Sequence, residues 1–278
     1  MVDFLLGLKL WQLTVVVLAI ALVLGLSVSV GIRKDFRLDP STQQADLAID
    51  LMQVTSTYIG ILLAFAGVLA WQDNRDAATA VENEAGVASL LYRDLSVYGP
   101  EMAPARDALK VYVRTVVVDG WPRLRQGKRS PAAEAELLAV FDHVAAVAPT
   151  NERQSAIYSE AFSQLNQLVS MRRQRIAASR AEIPPVLWIV AIVGSLLTIA
   201  YASAFVSSRY ASLMISGTSL TIGLLFLFLL SVEYPFRNRN GVGPQPFIEL
   251  SGIFERIDRA AGERFNSPPS SQSPAPKG

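Results

Sequence analysis

Glu84, Arg172 and Arg173 are the charged residues whose spacing singles them out in this chain. Glu84 falls between Val81 and Ala88 on one apolar helical stripe, and Arg172 falls between Leu168 and Ile176 on another. A carboxylate and a guanidinium on facing apolar stripes each need a partner. The pattern therefore predicts contact between Glu84 and Arg172 or Arg173. The competing reading leans the side chains out to solvent, as long side chains often do. Other chemistry finds little support. The chain has no cysteine, which excludes disulfides, thiolate nucleophiles and cysteine-based metal sites. His143 is the only histidine. It lies between Asp142 and Val144 on an amphipathic pattern and reads as solvated or half-buried, because no second His or Cys completes a metal site. No serine has a histidine in a plausible nucleophilic motif. No glycine-rich phosphate loop is present. Glu82 and Glu84 are two apart, so they do not face each other on a helix. These residues predict no enzyme, no metal and no cofactor. A net charge of +1 offers no field to nucleic acid.

A second constellation is small and weakly polar: Gln53, Thr57, Gly60, Ala64 and Gly67. Small residues at this spacing let helices approach closely. They serve equally to line a pore, with Ile61, Phe65 and Leu69 forming a dewetting constriction. On the residues alone packing is preferred, as the commoner cause. The stripe Ser212, Ser216, Ser219 and Gly223 reads first as packing.

These residues lie in or beside four apolar blocks. The 278 residues are 51% hydrophobic and 18% charged, and mean hydropathy is +0.32. The blocks run from about Leu10 to Ile32, Leu51 to Trp71, Pro185 to Val206 and Ala211 to Val232. Each reaches the roughly 20 residues a helix needs to cross a bilayer. Helices are the expected form, because backbone groups cannot stay unpaired in lipid. Trp11, Trp71, Trp188, Tyr210 and Tyr234 stand at block ends, as interfacial aromatics do. The first block reads as a retained helix and not a cleaved leader, since it is long and Asp3 spoils a basic start. No ionised side chain sits at mid-depth, which argues against a proton relay or voltage sensor. Four crossings put both termini on one side. Lys9, Arg75, Arg172, Arg173, Arg175, Arg180, Arg237 and Arg239 flank the spans there, against Arg33, Lys34, Arg37 and Arg209 opposite. That bias predicts cytoplasmic termini in a plasma membrane, the inner membrane if the cell is bacterial.

The segment between the second and third blocks reads as helical throughout. Val81, Ala85, Ala88, Leu91, Leu95 and Tyr98 recur at helical spacing, in a helix that continues out of block two and ends at Gly99-Pro100. Leu109, Tyr112, Val113, Val116 and Val117 mark a second helix that stops near Gly120-Trp121-Pro122. Ser130-Pro131 reads as a cap and first residue of a third, and Pro149-Thr150 separates it from a fourth that runs to Pro184-Pro185. After block four, Phe247, Leu250, Ile253, Phe254 and Ile257 form an amphipathic stripe. Packing on the neighbouring helices is preferred for it over a membrane surface. The expected class is all-α, with four transmembrane helices and a helical cytoplasmic domain between helices 2 and 3. The expected divisions are 1–72 and 183–236 in the membrane, 73–182 in the cytoplasm, an amphipathic helix at 237–265 and a disordered tail at 266–278.

The layout resembles the bestrophin-like family, once known only as a domain of unknown function. The resemblance rests on Glu84-Ala85, Tyr112, Trp121-Pro122, Arg172-Arg173, Trp188, Glu233-Tyr234-Pro235-Phe236 and Pro244-Gln245-Pro246-Phe247. The chain departs from the family pattern at Gly120, where an acid is usual, at Glu233, where Asp is usual, and at Gly241, a glycine that usually comes earlier. Bestrophins are homopentameric anion channels whose second span lines the pore. The resemblance therefore implies a homo-oligomeric ion channel, anion-selective by analogy, lined by block two. The alternative is a non-conducting membrane scaffold that works through its cytoplasmic helices. The lipid bilayer and further copies of the chain are the expected partners.

Overall fold

The computed structural model describes residues 7–36, 42–203, 209–238 and 241–266. Arg37, Arg239 and the tail beyond Asn266, all invoked above, lie outside the described residues. Among the described residues no strand occurs. The helices are α1 (Leu10–Phe36), α2 (Thr42–Tyr98), α3 (Ala103–Thr115), α4 (Trp121–Arg125), α5 (Pro131–Ala145), α6 (Glu152–Ala178), α7 (Pro185–Ala202), α8 (Arg209–Val232) and α9 (Gln245–Asn266). Four stretches are long and apolar enough to cross a membrane: Leu10–Ile32, Asp46–Tyr98, Pro185–Ala202 and Ser212–Val232. Block two and the helix after it are one element of 57 residues, about 85 Å long at 1.5 Å per residue.

The chain divides into two compact units, residues 1–78 with 178–242, and residues 79–177 with 243–278. The first holds α1, the start of α2, α7 and α8. Small residues set its spacing. A side-chain carbon at Gly25 would strike the Ser219 hydroxyl, and one at Gly223 would lie 2.7 Å from Ala21 Cβ. The Ser219 and Gly223 stripe is thus the face on which α8 meets α1, as its composition suggests. Leu63, Ala66 and Ala70 of α2 pack with Ala191 of α7 and with Leu229 and Val232 of α8.

The second unit holds the end of α2, then α3 to α6 and α9. Gly99, with φ of 140°, turns the chain out of α2 in a conformation that disfavours a side chain. The second helix does not stop at Trp121-Pro122. A π-turn over Val116–Gly120 links α3 to α4, and the chain stays helical to Arg125. Pro122 lacks an N–H and its ring crowds an ordinary helical turn. A widened turn just before it relieves that crowding.

Ser130 caps α5. Its hydroxyl accepts from the Ala133 backbone N–H at 3.0 Å and donates to the Asp119 carboxylate. That carboxylate is held below its ordinary pKa range by the hydrogen bonds from Arg123 and Ser130. We expect Ser130→Ala to destabilise the second unit by about 1 kcal/mol, typical of a lost N-cap. Thermal unfolding of the full chain reads it as a fall of roughly 2–4 °C.

Candidate functional site

The α2 stripe comes first. Gln53, Thr57, Gly60, Ile61, Ala64, Phe65 and Leu69 are all exposed in the single chain. Phe65 is 68% exposed and Ile61 51%. A side-chain carbon added at Gly60 would meet nothing within 4 Å. The Thr57 hydroxyl turns inward and donates to its own helix at the Gln53 carbonyl, 2.7 Å away. Gly67 parts company with this stripe: it is buried, and a side-chain carbon there would lie 2.9 Å from Phe228. The expected row therefore splits. Gly67 belongs to the packed side with Leu63 and Ala66, and the rest forms an open face. Asp50 and Asp46 are also exposed, one and two turns before Gln53 on the same face. Sequence reasoning passed over them, although their spacing of four residues was visible.

A fully buried charged centre lies in the second unit. The Tyr112 hydroxyl donates to Glu84 Oε1 at 2.6 Å. Arg175 Nε donates to Glu84 Oε2 at 2.6 Å, and Nη2 to Oε1 at 3.2 Å. The guanidinium carbon sits 5.6 Å from the Trp121 ring and 5.5 Å from the Phe247 ring. Glu84 is 0% exposed and Arg175 3%. Five helices contribute, α2, α3, α4, α6 and α9. The partner of Glu84 is thus Arg175, not Arg172 or Arg173. Arg172 lies 3.7 Å from Glu134, and Arg173 is exposed. The stripe on α6 fixes which face turns inward but not the height at which Glu84 meets it. Moving from Arg172 to Arg175 is a shift of only about 4.5 Å along the axis. Burial and the negative charge of Glu84 push the Tyr112 hydroxyl well above its ordinary pKa. For Arg175, burial opposes the charge, but Glu84 outweighs it and the pKa rises.

The stripe of α9 packs on helices of its own unit. Phe247, Leu250 and Phe254 are buried, and Phe254 stacks on Tyr92 at 4.0 Å. A latch closes the far end. Tyr92 donates to Asp258 at 2.8 Å, Lys110 Nζ lies 3.0 Å away and Arg106 3.4 Å. Burial alone would raise the Asp258 pKa, but the hydrogen bonds from Tyr92 and Lys110 and the nearby cations hold it below the ordinary range. A depressed carboxylate stabilises the fold above its unfolded pKa of about 3.9 and loses that contribution as pH falls through the folded value. Amide exchange of α9 is expected to show no change from this group between pH 8 and 5 and to accelerate only below about pH 4. In Asp258→Asn the acid-induced step disappears.

The remaining motif residues build a polar centre in the first unit. Trp188 Nε1 donates to Glu233 Oε1 at 2.8 Å, and Trp188 stacks on Phe226 at 5.7 Å. Pro235 and Phe236 are buried, and the Val242 N–H donates to the Pro235 carbonyl at 2.7 Å. A side-chain carbon at Gly241 would strike that carbonyl, so the later glycine of this chain closes the turn. Neither polar centre presents a nucleophile beside a base. His143 is exposed, and among the described residues no cluster of His, Cys, Asp and Glu could hold a metal ion.

Comparison with known proteins places this architecture. No curated protein sequence matches the chain. Two crystal structures share its fold. One is of a membrane protein, 13% identical, with a TM-score of 0.59 over 91% of this chain and 99% of that one. The other is of a bacterial bestrophin homologue from Klebsiella pneumoniae carrying a point substitution, 13% identical, with a TM-score of 0.57 over the same shares. The bestrophin-like domain matches residues 16–247, and the chain belongs to the bestrophin-like family.

Proposed function

We propose that this chain is one subunit of a homo-oligomeric ion channel whose pore is lined by α2. The observation that carries this reading is the open face of α2. Gln53, Thr57, Gly60 and Ala64 are exposed, and among the described residues nothing lies within 4 Å of a side-chain carbon at Gly60, although the same helix packs firmly through Leu63, Ala66 and Ala70. A weakly polar row on an otherwise apolar span is poorly suited to lipid. It suits water, with Ile61 and Phe65 supplying an apolar constriction. One subunit of four spans is too small to enclose a water-filled path alone, so several copies are required.

The family resemblance implies anions. Asp46 and Asp50 oppose this, since rings of carboxylates at a pore mouth favour cations. Planar-bilayer recording of the purified oligomer tests the proposal. Unitary currents are expected, and reversal potentials in asymmetric salt give the sign of the permeant ion. An intact oligomer with no unitary current in any salt would leave the alternative, a scaffold acting through the second unit. Cytoplasmic termini in the plasma or bacterial inner membrane belong to the same proposal, supported by the charge bias around the spans. A cysteine introduced at exposed Leu138 would then react only with thiol reagents that reach the cytoplasm.

A further inference from the structure

We propose that the cleft between α3 and α9 binds a single-chain amphiphile with an anionic head, a fatty carboxylate being the simplest. The inference is independent of conduction. The cleft has a volume of about 490 Å³, within the roughly 300–1,000 Å³ of small-ligand sites. Both walls belong to the second unit. Its apolar part is lined by Val113, Val117 and Val118 from α3 and the turn after it, and by Phe247, Ile248 and Phe254 from α9.

The two helices run antiparallel. Asp258 meets Lys110 at 3.0 Å near one end, while Phe247 lies 6.2 Å from Trp121 at the other. The cleft therefore grades from a charged end, where Lys110 and Arg114 stand with Asp258 and Glu255, to an apolar end at Val117, Val118, Phe247 and Ile248. That gradient spans about 12 Å along α3. Lys110 is already engaged by Asp258. Arg114 is exposed and lines the cleft. Among the described residues it has no ion-pair or hydrogen-bond partner. It is the group available to an incoming anion. Glu255 on the facing wall tempers the local charge. The apolar walls hold the hydrocarbon chain, and Arg114 supplies the part of the affinity that depends on an anionic head.

The π-turn supplies a second observation. It lines the apolar end and turns Val118 outward to 67% exposure. Turns of this kind often mark functional sites. Ile248 beside it is 48% exposed. A hydrocarbon chain laid along these residues removes apolar surface from water. The bilayer that the four spans enter is a ready source of such molecules.

The test uses the natural absence of cysteine. Val118→Cys places a single thiol on the cleft, and Leu138→Cys places one on α5, at a position 58% exposed. Maleimide modification of the full chain is followed in phosphatidylcholine nanodiscs, with decanoate as the ligand. At ten times its Kd, decanoate is expected to slow modification of Val118→Cys about tenfold, leaving Leu138→Cys unchanged. Decanol should protect far less. Adding Arg114→Glu should remove the protection. The proposal is overturned if decanoate gives no protection, protects both thiols alike, or protects no better than decanol. Protection that survives Arg114→Glu overturns it too. So does a Val118→Cys thiol already blocked without ligand, which would place a second copy of the chain on the cleft.

Discussion

Alanine in place of Glu84 is expected to cost the second unit about 3–5 kcal/mol, the range for breaking a buried ion pair by removing one partner. The Arg175 guanidinium is left 3% exposed with no anion, and Tyr112 loses the acceptor of its hydroxyl. Desolvation of an unpaired charge dominates the loss, well above a neutral hydrogen bond at about 1 kcal/mol. The Trp121 and Phe247 rings keep their contact with the guanidinium but cannot neutralise it. In a chain of this size the melting temperature should fall by about 10 °C. Amide exchange should localise the loss to α3 and α6. Arg175→Met should be damaging alone, because it buries an unpaired carboxylate. The double variant Glu84→Ala with Arg175→Met should recover much of the loss, since no uncompensated charge remains. A melting temperature in Glu84→Ala equal to that of the parent, or strict additivity in the double variant, would show that the pair is not energetically coupled.

Much of the scaffold was legible because its causes are local or imposed by the solvent. A bilayer demands four long apolar helices, and the blocks from Leu10, Leu51, Pro185 and Ala211 meet that demand. Gly99-Pro100 and Ser130-Pro131 punctuate the helices through backbone geometry and capping that need no tertiary context. The inward face of α9 was legible in Phe247, Leu250 and Phe254. What failed depended on where two helices meet. The stripe on α6 carries both Arg172 and Arg175, and only tertiary packing decides which one reaches Glu84. The π-turn before Trp121 accommodates Pro122 within a chain held on both sides, with Trp121 buried against Phe247 and Ser130 tied to Asp119. Asp258 joins Lys110 across 148 residues, a separation at which helical periodicity is silent.

The motif residues share a property that their order in the chain concealed. Glu84, Tyr112, Trp121 and Phe247 close one buried centre. Trp188, Glu233, Pro235 and Phe236 close or underlie the other. None of them lies on the open face of α2. The residues on which the family resemblance rests are therefore ones that hold the helices in place. On the channel reading, the residues that touch the ion are a different set, and their types can change without disturbing either centre. Selectivity accordingly has to be read from this chain's own α2.

Phe65→Ala is expected to raise unitary conductance several-fold while leaving the melting temperature close to the parent's. Phe65 is 68% exposed within the chain, so its truncation opens no cavity in the subunit. In a pore the same ring narrows the path and repels water, and removing it lowers the dewetting barrier. Gly60→Leu should do the reverse. Among the described residues nothing lies within 4 Å of a side-chain carbon added at position 60, so on the channel reading the leucine is expected to extend into the pore and abolish current. Leu63→Ala is the contrasting control. Leu63 is 4% exposed on the packed side of the same helix, and its truncation should cost about 2–5 kcal/mol with no specific effect on permeation. A lipid-facing stripe predicts otherwise: Phe65→Ala and Gly60→Leu would both leave conductance unchanged, because neither side chain would meet the ion. The two substitutions change volume in opposite directions on one face. Opposite shifts in current would therefore place that face on the conduction path, whereas shifts of one sign would point to altered assembly.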